Sequence, residues 1–283
     1  MARATVLFII LLLVGTSTTF ADAEERPLWE IGFGGGVIQI PDYRGSSESG
    51  VYPYPFVMPI YRGRSFQADE EGIKGVLGES NRLRLDVSFY GNVPVNGDND
   101  ARAGMETLDP LLEIGPMLRY KAWTASRHRQ SLILDAPLRV ALSLGDGVDV
   151  VGYALTPRAS YRRQIDLCDR PWKWSISGEL LWGSRDLHRY YYQVDPVDAT
   201  AWRPAYDAGA GFGGSRLRTS LYRRDRNRLI SLYAVYDHLG GAVFEDSPLV
   251  ERQGGLTLGF VVIWFPFQSN DVVKVNQWEW TTE

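Results

Sequence analysis

From Pro110 to Ala122 the chain alternates. One parity reads Pro110, Leu112, Ile114, Pro116, Leu118, Tyr120 and Ala122; the other reads Leu111, Glu113, Gly115, Met117, Arg119 and Lys121. Apolar residues on one side and charges on the other, at period two, specify a strand with one greasy and one wet face. The grammar recurs. Leu83, Leu85, Val87 and Phe89 alternate with Arg82, Arg84, Asp86 and Ser88. Leu132, Leu134, Ala136, Leu138, Val140 and Leu142 face away from Asp135 and Arg139. Val151, Tyr153, Leu155, Ala159 and Tyr161 oppose Thr156, Arg158, Ser160 and Arg162. Trp172, Trp174, Ile176, Leu180 and Trp182 oppose Lys173, Ser175, Ser177 and Glu179, and Leu256, Leu258, Phe260, Val262 and Trp264 form one further face. The pattern predicts about twelve strands. They fall near 29–40, 51–61, 64–77, 81–91, 110–122, 130–143, 149–163, 171–183, 205–213, 215–222, 228–238 and 254–267. Gly209, Gly211, Gly213 and Gly214 blur strand and turn in the ninth and tenth.

Soluble sandwiches and lipocalin-like barrels alternate too. Two features favour a closed antiparallel transmembrane β-barrel. Charge recurs on one parity in strand after strand, and aromatics gather near strand ends, at Trp29, Tyr52, Tyr54, Tyr61, Tyr90, Tyr120, Trp123, Tyr161, Trp172, Trp182 and Trp264. Interfacial girdles belong there. Mean hydropathy is −0.19, which excludes a helical membrane bundle but suits strands that average to near neutrality.

Met1–Ala23 has the form of a cleaved signal peptide. Arg3 supplies the positive start, Val6–Val14 the apolar run, and Ala21-Asp22-Ala23 a small-residue cleavage site. The expected organisation is a signal peptide at 1–23, a barrel at 24–267 and a tail at 268–283 containing Trp278 and Trp280. The tail is free to enter the lumen, hang in the periplasm or be disordered. With both termini in the periplasm, connections 41–50, 123–129 and 239–253 fall outside, and the long ones, 92–109 and 184–204, fall inside. That inverts the usual habit of such barrels.

The net charge of −4 offers no basic field for nucleic acid. The single cysteine, Cys168, makes no internal disulfide. No cofactor or metal site is expected, because no His/Cys/Asp cluster has ligand spacing. Asp98-Asn99-Asp100 lacks the rest of a calcium loop and reads as a turn. Of the histidines, His128 lies among arginines, His188 in a long connection, and His238 at a strand end on the parity opposite Ser231. No catalytic pair assembles, and the chain reads as non-enzymatic.

The charged parity gives a candidate lumen set: Arg82, Arg84, Asp86, Glu113, Arg119, Lys121, Asp135, Arg139, Arg158, Arg162, Lys173 and Glu179. These either pair across the interior or line a pore; their mixed sign favours pairing. In 92–109, Arg102, Met105 and Leu108 are candidate partner contacts. The alternative, favoured by Gly104 and Pro110, is that Met105 folds back to cap the barrel mouth.

Several segments carry a family resemblance. They are Pro41-Asp42-Tyr43-Arg44-Gly45-Ser46, Tyr61-Arg62-Gly63, and Asp98–Met105 running into Leu108-Asp109-Pro110 and Glu113-Ile114-Gly115-Pro116. Tyr192-Gln193-Val194, Tyr206–Gly211, His238–Ala242 and Asp246–Val250 follow. In this order the chain resembles the MltA-interacting protein (MipA/OmpV) family of Gram-negative outer membranes, with the tail beyond Phe267 departing from the pattern. The resemblance implies a non-enzymatic outer-membrane barrel, in contact with membrane lipid. It further implies a scaffold for a lytic transglycosylase and a bifunctional murein synthase in peptidoglycan remodelling. A small-solute channel and an adhesin are the alternatives it leaves.

Overall fold

The computed structural model describes residues 24–69, 72–91, 99–125, 129–145 and 147–275. The signal-peptide reading, Asp98, His128, Trp278 and Trp280 lie outside them. The strands are β1 Glu24–Pro27, β2 Trp29–Pro41, β3 Ser49–Arg62, β4 Phe66–Asp69, β5 Gly72–Glu79, β6 Leu83–Gly91, β7 Leu111–Ala125 and β8 Gln130–Ser143. After them come β9 Asp149–Leu155, β10 Arg158–Leu167 and β11 Arg170–Gly183. A helix, α1 Arg185–Tyr192, precedes β12 Gly211–Arg224, β13 Arg228–His238, β14 Gly254–Gln268 and β15 Val272–Val275. Each wall strand is antiparallel to its neighbours, and β14 pairs with β2 to close the barrel. β9 and β10 both pair with β8 and fill one position in the wall, so the closed barrel has twelve strands. The break between them falls at Thr156-Pro157, where proline has no N–H to give the ladder.

The alternation sorts the wall. Leu83, Leu85, Phe89, Leu118, Leu134, Leu138, Leu180, Leu217, Leu232, Leu258, Phe260 and Trp264 are exposed on the outside. Arg84, Asp86, Arg119, Asp135, Arg139 and Glu179, on the other parity, are buried within. Tyr54 and Tyr90 correct the girdle reading. Tyr54 packs with the inner cluster of Ile60, Leu229, Val261, Ile263 and Phe265, and Tyr90 meets Arg139 and Arg216. The inner face of β2 is Gly32, Gly34 and Gly36. A side chain at Gly34 would collide with the Val262 carbonyl, so this stripe lets β14 approach closely. Above Tyr61, β3 has no second ladder among the described residues. Pro53, Pro55 and Pro59 share one parity there, and an edge without a ladder tolerates their missing donors.

Two strand assignments are corrected. The segment 64–77 is not one strand but the hairpin β4–β5, whereas 205–213 and 215–222 are not two strands but a loop and the single strand β12. One strand was missed and one added, so the total of twelve stands. Every strand between them runs opposite to expectation. Residues 99–109 and 184–204 therefore lie at the end of the barrel away from the termini, together with 42–48 and 239–253, and the end of β7 and the start of β8 lie at the termini end. That end otherwise has short turns at 63–65, 80–82, 168–169 and 225–227. Cys168 and Asp169 both have positive φ, 51° and 58°, which matches the right-handed twist of a two-residue hairpin. The expected inversion of loop lengths is thus overturned. Val272–Val275 pairs with Glu24–Pro27 in a two-stranded ribbon at the termini end.

Candidate functional site

At the end away from the termini, the long connections fold into a cap with its own core. Tyr43, Ala101, Leu108, Tyr192, Val194, Ala208, Leu239, Ala242, Phe244 and Leu249 are buried together, with Met105, Tyr190, Tyr191, Tyr206 and Val250 packed against them. Phe244 is fully buried, stacked 3.8 Å from Tyr192 and edge-on to His188 at 4.7 Å. Helix α1 crosses the mouth. Leu187 packs on Leu111, Ala141 and Ala154 of β7–β9, and the His188 ring lies against Gly183 and Gly213 of β11 and β12. Small inward residues make this room: at Gly152, φ is +139°, and a side chain there would meet Ser184 and Leu187. Ser184 caps the helix, its Oγ accepting from Leu187 N at 3.3 Å and from Tyr153 N at 3.0 Å.

Hydrogen bonds tie the loops to one another. Tyr43 donates to the Leu249 carbonyl at 2.7 Å and Tyr192 to the Arg44 carbonyl at 2.9 Å. Burial pushes both phenols up, Tyr192 to about 12, so they remain neutral donors. Asn99 Nδ2 donates to Asp42 and Ser46, and Arg203 Nη1 donates to the Ala101 and Ala103 carbonyls.

The candidate partner contacts sit inside this cap. Leu108 is in its core, Met105 packs on it, and buried Arg102 donates to the Tyr191 and Glu106 carbonyls. These side chains hold the cap loops to one another. The fold-back of Met105 is the arrangement observed. The segments around Tyr43, Asn99, Tyr192, Tyr206, Leu239 and Ser247 all meet here, which their wide separation in sequence concealed.

His188 is buried, and its Nδ1 lies 2.7 Å from the Gly209 carbonyl. Burial, reinforced by Arg44, holds its pKa below the ordinary value, although the Gly209 carbonyl opposes the shift. Its neutral form is the one the closed cap accepts. Its contribution is complete above the ordinary histidine value of about 6.5 and is lost as pH falls below that. Amide exchange in 185–210, corrected for intrinsic rates, is expected to quicken on acidification through this range. In His188→Gln the acid-dependent part is expected to vanish; an unchanged pH response in that variant would exclude the histidine as its source.

Below the cap, the inner wall carries a diagonal row of cross-strand partners. Glu79, Arg84, Arg119, Asp135, Arg158, Glu179, Arg216 and Asp237 face one another in turn from β5 to β13. Arg84 Nε bonds Asp86 at 2.6 Å; Asp135 accepts from Arg119 at 2.7 Å and from Arg158 at 2.6 Å. Arg139 reaches Glu113, Ser88 and Thr156. Asp237 accepts from Arg216 at 2.9 Å and from Arg44, which descends from the 42–48 loop, at 2.8 Å. Lys121, Arg162 and Lys173 are half-buried on the same parity, with Lys173 Nζ 5.4 Å from the Tyr222 ring. Arg82 departs from the set: it is exposed in the turn after β5, where the inward parity has not yet begun. Sequence reasoning did not place Arg44, Arg216, Asp237 or Glu30 in the inner charge network. Arg216 and Asp237 lie in alternating stretches that would have revealed their face. Glu30, bonded to Arg62 and Arg224, sits beside a glycine run that carries no pattern.

A family profile described as MltA-interacting protein MipA matches residues 33–265, from β2 into β14 and through every cap loop. The chain belongs to the MltA-interacting protein family. It is an outer-membrane β-barrel protein of that family, with wall and cap both inside the matched region. No curated protein matches it. Among solved structures, a bacterial polysaccharide outer membrane secretin aligns with TM-score 0.41 and 9% identity, over 84% of this chain and 98% of that one. The outer membrane protein OprD from Pseudomonas aeruginosa aligns with TM-score 0.27 and 9% identity, over 88% and 97%.

Among the described residues no group of three or more His, Cys, Asp or Glu is placed to hold a metal. His238 is exposed at the end of β13, on the parity opposite Ser231.

Proposed function

We propose that this family member is an envelope scaffold, a non-conducting barrel that holds a murein-degrading lytic transglycosylase beside a bifunctional murein synthase. The observation that carries this reading is the cap. A buried apolar core lies across one mouth, above a wall of paired charges, which favours a structural role over a small-solute channel. The chain is exported through residues 1–23 and sits with its apolar outer wall in lipid. Its termini and short turns face the periplasm, as is usual for such barrels. The murein enzymes then meet the termini end, where the β1–β15 ribbon offers strand edges for pairing.

Mild cross-linking of intact cells followed by purification of this protein tests the reading. Both murein enzymes are expected to co-purify, to be lost on truncation after Asp271, and to persist on deletion of 97–107. Recovery of neither enzyme above background would end the scaffold reading. In planar bilayers the purified barrel is expected to hold no steady open conductance. A second reading, surface recognition by the cap, is favoured by Val197 and Trp202, which are 89% and 61% exposed. It requires Trp202→Ser to reduce adhesion of whole cells to a host-cell layer.

A further inference from the structure

The inner wall holds more guanidinium than its carboxylates neutralise. Three inner-wall carboxylates each serve two arginines: Asp135 serves Arg119 and Arg158, Asp237 serves Arg44 and Arg216, and Glu30 serves Arg62 and Arg224. The Asp135 and Glu30 units each keep one positive charge in excess, whereas in the Asp237 unit Glu179, 3.9 Å from Arg216, offsets the second arginine. The acids of the diagonal row are therefore already engaged when the next residue along the inner face of β12 is reached.

That residue is Arg218. It follows Arg216 by two positions and points to the same side. Its cross-strand partners are Ser177 on β11 and Val235 on β13; beyond Ser177 the row continues to Ser160 on β10 and Ile133 on β8. None of these is acidic. Among the described residues Arg218 has no hydrogen bond or ion pair, and its Nε is buried without a partner. The charged side chains that bear on it are Arg216, Glu179 and Arg158, two of them cationic. Glu179 already lies 3.9 Å from Arg216. Arg218, Ser177, Ser220, Tyr233 and Val235 are only half-buried, so the wall here borders open space inside the barrel.

A buried guanidinium N–H without an acceptor is costly, and Arg218 has one at Nε while the rest of its half-buried side chain borders the interior. Its planar fork of N–H donors matches two oxygens of an oxyanion. The Ser177 hydroxyl lies directly across the ladder and the Ser160 hydroxyl one strand further on the same face, and both are donors of the kind that complete such a site. We propose that the barrel interior contains an oxyanion-binding site centred on Arg218, with Ser177 beside it and the excess positive charge of the Arg119–Asp135–Arg158 unit contributing to the field. The ligand is a small oxyanion with the chemistry of phosphate. The site is independent of the scaffold reading and stands or falls without it.

Equilibrium dialysis of labelled inorganic phosphate against the folded, detergent-solubilised full-length protein is the direct test, with chloride holding ionic strength constant. Saturable binding approaching one equivalent is expected, because a pocket built on one free guanidinium takes one ligand. Arg218→Gln is expected to weaken it by about tenfold or more, the usual effect of losing a hydrogen bond to a charged group. Arg170→Gln, at the exposed start of β11, is expected to leave it unchanged. Phosphate uptake that never saturates in the wild-type protein would overturn the proposal, and this holds even if the glutamine variant fails to fold. Equal binding by wild type and Arg218→Gln would overturn it too.

Discussion

Replacing Asp135 by alanine is expected to destabilise the barrel by about 3–5 kcal/mol, the usual cost of removing one partner from a buried ion pair. The carboxylate is buried on the inner wall and holds Arg119 and Arg158 at 2.7 and 2.6 Å. Alanine leaves two guanidiniums facing each other across β8, where their desolvation is no longer repaid. The asymmetry of the unit makes a second expectation. Arg158→Met removes one of two cations and leaves Asp135 paired with Arg119, so it is expected to cost much less than Asp135→Ala. Asp225 is the surface comparison. It holds Arg223 and Arg228 in a turn at the termini end, and because the carboxylate is one-third open to solvent its loss is expected to cost about 1 kcal/mol or less. Urea midpoints of the protein refolded into lipid vesicles decide the ranking. An Asp135→Ala midpoint indistinguishable from that of Asp225→Ala would mean the inner network contributes nothing to stability.

Phe244→Ala is expected to have an effect of similar size but confined to one place. A fully buried phenylalanine cut to alanine costs about 3–5 kcal/mol. Here the ring is sandwiched between Tyr192 and His188, so its loss also removes a stacked and an edge-on contact. The cap joins four connections mainly through this core and a few hydrogen bonds, whereas the wall is held by continuous ladders. The variant is therefore expected to keep a folded barrel with unchanged migration on unheated gels. Its cap is expected to open, with faster amide exchange and new protease cuts in 184–210 and 239–253. If the cap alone blocks the mouth, the same variant gains conductance. Exchange that rises equally in wall and cap would show that the two unfold as one unit.

The residues bear out how unevenly the sequence reported this architecture. Period-two alternation is local, and it sorted Leu118 from Arg119 and Leu134 from Asp135 without knowledge of any neighbour. It failed where alternation was absent. In 64–77 and 205–214, glycine and polar residues left strand and turn indistinguishable, and two opposite errors preserved the number twelve while reversing every strand between them. The end on which a loop emerges depends on the parity of all strands before it, so one missed hairpin moved Arg102 and Leu108 from one side of the barrel to the other.

The sequence by itself determined the barrel, its greasy and charged faces and its family, because these follow from patterns within each strand and from short motifs. Only the tertiary structure decided which charges pair. Register is set by bulges such as those at Lys121/Trp123 and Trp264/Phe267, and a shift of one residue would change every partner. Only the tertiary structure revealed the cap, whose core joins Tyr43 to Leu249 across 206 positions. No periodicity marks such a core, because its residues come from loops that are brought together only when the barrel closes.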